Sequence, residues 1–193
     1  ESCAAGSVSF LNSGGTAAYG GGLIGWNHNN ATIKNSCAAG NVTEASYGGG
    51  LTGYNEDSMI ESSYAAGDVT AVYGGGLVSY NDKGTIRNCC RNSEARIMAD
   101  KDISNQGKSI TPQQMTGTGI GRADQSMPGF DQNIWSFIKD GAVYRDSGKM
   151  YLKNLYYPRL RSIVYPTGKE PRYIRKIGYG LKECIEVRVT GTI

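Results

Sequence analysis

Three stretches decide the fold: Tyr19-Gly20-Gly21-Gly22-Leu23-Ile24-Gly25-Trp26-Asn27, Tyr47-Gly48-Gly49-Gly50-Leu51-Thr52-Gly53-Tyr54-Asn55 and Tyr73-Gly74-Gly75-Gly76-Leu77-Val78-Ser79-Tyr80-Asn81. Each follows a second shared block, Ser2-Cys3-Ala4-Ala5-Gly6-Ser7-Val8, Ser36-Cys37-Ala38-Ala39-Gly40-Asn41-Val42 and Ser63-Tyr64-Ala65-Ala66-Gly67-Asp68-Val69, and each precedes an isoleucine, Ile33, Ile60 or Ile86. The leucines are 28 and 26 residues apart, and extra residues in the first unit fall between Val8 and Tyr19. A fixed period in this range means stacked units that cannot bury an apolar face alone.

Helical repeats need long amphipathic runs of good helix formers. Here every unit is broken by three consecutive glycines and by Ala-Gly, which disfavour helix interiors. The leucine-rich, ankyrin and tetratricopeptide patterns are absent. The sequence therefore predicts an all-β protein, a short parallel β-helix (β-solenoid) of about three coils, each with three strands separated by turns. In such a coil equivalent residues stack into ladders at roughly 4.8 Å. Leu23, Leu51 and Leu77 are expected to stack inward, as are Val8, Val42 and Val69, with Ile33, Ile60 and Ile86 on a third wall. Glycines belong at the corners, where the backbone turns with positive φ or packs against backbone. Asn27, Asn55 and Asn81 are expected at turns, tolerating a left-handed conformation and bonding amide to amide between coils.

Composition agrees: 28 glycines, 13 tyrosines, three phenylalanines and five prolines favour turning backbone and amphipathic aromatics over helix packing. The net charge of +3 hides a gradient. Residues 1–90 carry three Lys/Arg against seven Asp/Glu, and residues 145–193 carry eleven against four. Basic residues scattered along strands read as a solvated surface, so no nucleic-acid partner is expected. No apolar run reaches the roughly 20 residues of a spanning helix, so no direct membrane insertion is expected either.

Gly22-Leu23-Ile24-Gly25, Gly50-Leu51-Thr52-Gly53 and Gly76-Leu77-Val78-Ser79, with their flanking Tyr, aromatic-Asn and Ala-Ala-Gly-x-Val elements, resemble the GLUG motif, in which Ser79 departs from the final glycine. That motif is repeated in bacterial surface proteins, adhesins and some secreted IgA-cleaving metallopeptidases. Thr111-Pro112-Gln113-Gln114-Met115, Trp135 and Tyr157-Pro158-Arg159-Leu160 resemble the closing segment of such proteins. The resemblance covers about residues 1–162. It implies an extracellular or cell-surface location, and since residue 1 falls inside a repeat, a piece of a larger protein is expected.

The expected organisation is GLUG-like β-helix repeats over 1–90, a capping segment over 91–162 that covers the open end of the solenoid, and a tail over 163–193 that either extends the cap or begins a further β domain. Met115, Phe130, Ile134, Trp135 and Phe137 supply apolar bulk to the cap. Thr111 before Pro112 predicts a short helix near 112–116. Cys184 to Thr190 alternates as a half-buried strand does.

Catalytic chemistry finds little footing. His28 is the one histidine, in a polar run at an expected turn, and neither a triad nor a two-histidine zinc site has its partners. No His-Glu-x-x-His occurs. Thr116 to Gly121 lacks the lysine of a phosphate-binding loop, the calcium-binding Gly-Asp repeat is absent, and no cofactor is expected. A carbohydrate-active β-helix would cluster carboxylates on one face, yet Asp57, Asp68 and Asp82 share no repeat position.

The candidate contact surface is Trp26, Tyr54 and Tyr80. Each lies three residues after an inward leucine, so strand parity turns it outward as a platform for a sugar or a protein. A turn that resets parity would instead pack the rings under a loop or the cap.

Cys3, Cys37 and Cys90 share a repeat position. A ladder spacing of roughly 4.8 Å exceeds the Cβ separation of about 3.8 Å that a disulfide prefers, so free buried thiols are expected, for Cys89 as well. The two glycosylation sequons, at Asn30 and Asn41, carry little weight, since the resemblance is to bacterial proteins.

The functional expectation is a non-catalytic module for adhesion, interaction or rigid spacing, whose partner is a host or matrix protein, a glycan, or another domain of the same polypeptide. The alternatives are a carbohydrate-binding or carbohydrate-active β-helix and an accessory region of a large secreted peptidase.

Overall fold

A computed structural model describes residues 1–10, 17–102, 106–116, 127–137, 142–146, 149–153 and 157–165. The expected strand at 184–190 and Cys184 lie outside the described residues. The first coil holds β1 (Ser2–Ala4), β2 (Val8–Ser9), β3 (Tyr19–Gly21), β4 (Ile24–Asn27) and β5 (Thr32–Lys34). The second holds β6 (Ser36–Ala38), β7 (Val42–Gly49), β8 (Thr52–Glu56) and β9 (Met59–Glu61), and the third β10 (Tyr64–Ala65), β11 (Val69–Gly75), β12 (Val78–Asp82) and β13 (Thr85–Arg87). The parallel ladders continue through β14 (Cys90–Asn92), β15 (Ile97–Asp102) and β16 (Lys108–Ile110).

Coil-to-coil pairing makes four parallel sheets: A (β1-β6-β10-β14-β16), B (β2 and β3 on β7, then β11 and β15), C (β4-β8-β12) and D (β5-β9-β13). The expected three strands per coil is thus corrected to four. The fourth arises because Tyr-Gly-Gly-Gly-Leu does not run on as one strand. It bends at the third glycine and the leucine, leaving Tyr47 on sheet B and Tyr54 on sheet C.

The glycines enforce that corner by close approach. A Cβ on Gly49 would run into the carbonyl of Thr52 and the amide of Ser79. Among the described residues, positive-φ glycines occur only at Gly107 and Gly129. The left-handed turns are carried by other residues at equivalent places: Asn29, Asp57 and Lys83 in one column, Asn35, Ser62 and Asn88 in another. Glu44, also left-handed, bulges β7 against β11.

The apolar ladders form as the sequence predicts. Leu51, Leu77, Val42, Val69 and Ile60 are fully buried, and Val8, Val42 and Val69 align, as do Ile33, Ile60 and Ile86. The leucines bond through the backbone, with the Leu51 amide donating to Leu77 at 2.8 Å and the Leu23 amide to Leu51 at 3.0 Å.

The asparagine position needs correction. Asn27, Asn55 and Asn81 lie in strands β4, β8 and β12, in register, and the left-handed turn comes two residues later. Their amides face inward. Asn27 Nδ2 donates to Asn55 Oδ1 at 2.7 Å and Asn55 Nδ2 to Asn81 Oδ1 at 2.6 Å, so buried polar groups satisfy one another along the axis.

Sheet A repeats this device with hydroxyls. The Ser36 amide donates to Ser63 Oγ, and each hydroxyl donates to the carbonyl two residues back. Cys89 takes the same position in the fourth coil and its thiol approaches the carbonyl of Arg87 at 3.2 Å.

On the outward side of sheet A the order is Cys3, Cys37, Tyr64, Cys90. Cys3 and Cys37 form a disulfide, which corrects the expectation of free thiols: register brings their Cα atoms to 4.5 Å, within the range a bridge accepts. The strand spacing alone was the wrong criterion, because neighbouring Cα–Cβ bonds can lean together. Cys89 and Cys90 are free and buried, and burial pushes their thiols up to about 11 and about 12.

The segment after β16 carries the short helix and the extra strands expected of it. Helix α1 (Pro112–Thr116) forms, with Thr111 and Gln114 in a reciprocal capping box: the Gln114 amide donates to Thr111 Oγ1 and the Thr111 amide to Gln114 Oε1. The segment's buried apolar residues pack on the flank of sheet A. Met115, Met127, Phe130, Trp135, Tyr157 and Leu160 bury Cys37, Tyr64 and Cys90.

Strand β17 (Trp135–Ser136) pairs antiparallel with β20 (Arg159–Leu160), while β18 (Ala142–Asp146) and β19 (Lys149–Lys153) form a hairpin. Tyr64 donates its hydroxyl to the Pro158 carbonyl at 2.7 Å, Ser62 bonds to Gly129, and Ser162 to Glu1. This lateral clamp covers the outward ring of Tyr64 with Phe130, Trp135 and Tyr157. Gly107, just before β16, lies against the end of the leucine ladder, where a Cβ would meet the Leu77 side chain.

Candidate functional site

The glycine corner between sheets B and C builds, among the described residues, an outward surface on which aromatic rings line up coil after coil. On β7, Gly48 faces the core, where a Cβ would strike Ala71 and Val69, so Tyr47 beside it faces out. The same parity turns out Tyr19 and Tyr73, which pair in register with Tyr47. Across the corner, Asn55 faces in and Tyr54 faces out, in register with Trp26 and Tyr80. Tyr47 and Tyr54 are seven residues apart, so the alternation shifts by one residue at the corner and both columns face out. Trp26 and Tyr80 are each 45% exposed, too open to be packed under a loop or under the clamp.

The two columns interlock. Tyr47 and Tyr73 stack at 4.7 Å with planes 10° apart, and Tyr54 and Tyr80 stack at 5.3 Å and 12°. Tyr19 closes the first coil against Tyr47 at 5.3 Å and Tyr54 at 5.2 Å. Trp26 is tilted 57° from Tyr54 and lies 4.5 Å from the ring of His28. Lysine 101, aligned with Tyr73 in the fourth coil, places its Nζ 5.6 Å from the centre of that ring.

The Tyr19, Tyr47, Tyr73 column was not identified as a surface from sequence, although its signal was present: a tyrosine four residues before each leucine and a glycine after it. The acidic companions were missed as well. Glu56 and Asp82 are in register two residues beyond Tyr54 and Tyr80, where a search for a shared aspartate position overlooks a glutamate. Burial, followed by the charges of Glu56 and Asp82, raises the Tyr54 hydroxyl above its ordinary value. The column therefore sits in a negative environment.

Sheet D contrasts with this. There Glu61 bonds both Arg87 at 3.0 Å and Lys34 at 3.1 Å, and these hydrogen bonds lower its carboxyl below the usual value. Leu23, Leu51 and Leu77 and the asparagines, also singled out in the sequence, belong to the scaffold beneath the rings. Among the described residues, no three His, Cys, Asp or Glu converge as a metal site, and no helix is long and apolar enough to cross a membrane.

A family model described as the GLUG motif matches residues 44–70, the run from the Glu44 bulge through Tyr47, the corner and Tyr54 to the start of β11. No curated protein and no solved structure matches the chain.

Proposed function

We propose that the chain is a rigid, non-catalytic module of a surface or secreted protein that meets its partner through the aromatic face between sheets B and C. One observation carries the reading: six rings are held in two interlocked columns on a backbone paired coil to coil, with Trp26 and Tyr80, the end rings of one column, open to solvent. Exposed aromatic patches of this kind favour contact with a partner, and a laddered scaffold loses little further entropy when it binds. The GLUG match and the solenoid fold fit such a module. The Cys3–Cys37 bridge supports an oxidising location outside the cytosol.

A second reading, carbohydrate binding, draws on Glu56 and Asp82 beside Tyr54 and Tyr80, since rings with adjacent carboxylates are the pairing a sugar site uses.

The test is a panel of matrix proteins and glycans probed with the purified chain and with a Trp26→Ala, Tyr54→Ala, Tyr80→Ala variant whose fold is confirmed by circular dichroism. Binding that disappears in the folded variant establishes the face as the contact. Binding unchanged in the variant places the contact elsewhere, and absence of binding by either protein leaves a spacer.

A further inference from the structure

We infer that the exposed face of Tyr80, at the end of the Trp26, Tyr54, Tyr80 column, takes an arginine or lysine side chain from a basic segment of a partner protein. This rests on the interaction-face reading above and names the partner's chemistry.

The chain itself supplies the template. The tyrosine column on sheet B does not end in a bare ring: its fourth-coil position is Lys101, aligned with Tyr73 on β15, with the ammonium over the ring. Such a placement is favourable because the ring face carries the negative end of its quadrupole. Among the described residues β12 is the last strand of sheet C and Tyr80 the last ring of its column. One face of Tyr80 is stacked on Tyr54, and the residue remains 45% exposed.

Charge selects the occupant. Glu56 and Asp82 stand in register next to the column, and the ion pairs found among the described residues fall on Glu61, on another sheet. Residues 1–90 hold seven acidic against three basic residues, so an anionic glycan would be repelled. Lys83, exposed in the turn after Asp82, is the nearest cation in sequence. Ring stacking also weighs against a sugar. Tyr54 lies between Tyr19 and Tyr80, and Tyr47 between Tyr19 and Tyr73, so the middle rings offer no free face for a pyranose.

The experiment titrates the full chain with a nine-residue Gly-Ser peptide carrying three alternating arginines, with the same peptide bearing neutral citrulline, and with neutral oligosaccharides, following the Trp26 and tyrosine NMR signals. The arginine peptide is expected to bind, at least tenfold more weakly after citrulline replacement, in a Glu56→Gln/Asp82→Asn variant and in Tyr80→Ser, and to weaken as salt rises. Glu44→Gln, which removes one charge at the bulge, is expected to leave it unchanged. No binding of the arginine peptide, or equal binding by the Glu56→Gln/Asp82→Asn variant, overturns the proposal. An oligosaccharide that binds instead and depends on Trp26, Tyr54 and Tyr80 also overturns it, while the interaction-face reading stands.

Discussion

Tyr64 and Tyr80 occupy the same kind of place, an outward position on a stacked strand, and meet opposite fates. Tyr64 on sheet A is fully buried against Phe130, Trp135 and Tyr157, and burial raises its hydroxyl well above the ordinary value. Tyr80 on sheet C stacks on the equivalent ring of the preceding coil and stays open. Strand parity decides which side a ring takes. Whether that side is wet is decided by the non-repeating segment, which covers sheet A, and the face it leaves open is the one available to a partner.

The largest effect is expected from uncovering sheet A. Trp135→Ala removes the biggest fully buried side chain of the clamp and should cost about 3–5 kcal/mol in chemical denaturation, and it should make Tyr64 accessible while leaving the Tyr54–Tyr80 stack in place. A loss below about 1 kcal/mol would mean that the clamp does not hold the flank.

Next comes the bridge on that same outward row. Cys3→Ser opens a link between residues 34 apart in sequence and is expected to cost about 3–4 kcal/mol on a chain-entropy estimate. Thiol counting under denaturing conditions checks the premise, because an unbridged chain would show Cys3 and Cys37 reactive without reductant.

The smallest effect concerns sheet D, where an outward row is neither covered nor open but paired by charge. The Glu61 carboxyl is lowered from 4.5 by bonds from Arg87 and Lys34, so its contribution is present above that pH and is lost as the pH falls through the lowered value. Glu61→Gln should flatten this acid limb of the stability curve, and an unchanged limb would show that the pair contributes nothing.

The ladders could be read from the repeats because identical residues at one period must stack, and the direction of Trp26, Tyr54 and Tyr80 followed from their odd offset from the leucines. The helix at 112–116 was likewise written in Thr111 and Pro112. The four-sheet coil was not legible, because three glycines and a leucine do not state where a strand bends. Asn55 was expected at a turn since asparagine tolerates one, but the stronger demand is a buried amide bonded to its neighbours. The clamp could not be read as lateral: its contacts join Tyr64 to Pro158 and Glu1 to Ser162, pairs far apart in sequence that no repeat records. The second tyrosine column and the Glu56, Asp82 pair were visible as residues. Only the folded corner makes them one surface.

Hydroxyl-radical footprinting of the native chain, read residue by residue by mass spectrometry, tests most directly the claim that one aromatic face is open and the other sealed. Trp26 and Tyr80 are predicted to oxidise at least tenfold faster than Trp135 and Tyr64, each compared within its own residue type. Equal rates within either pair would contradict the account.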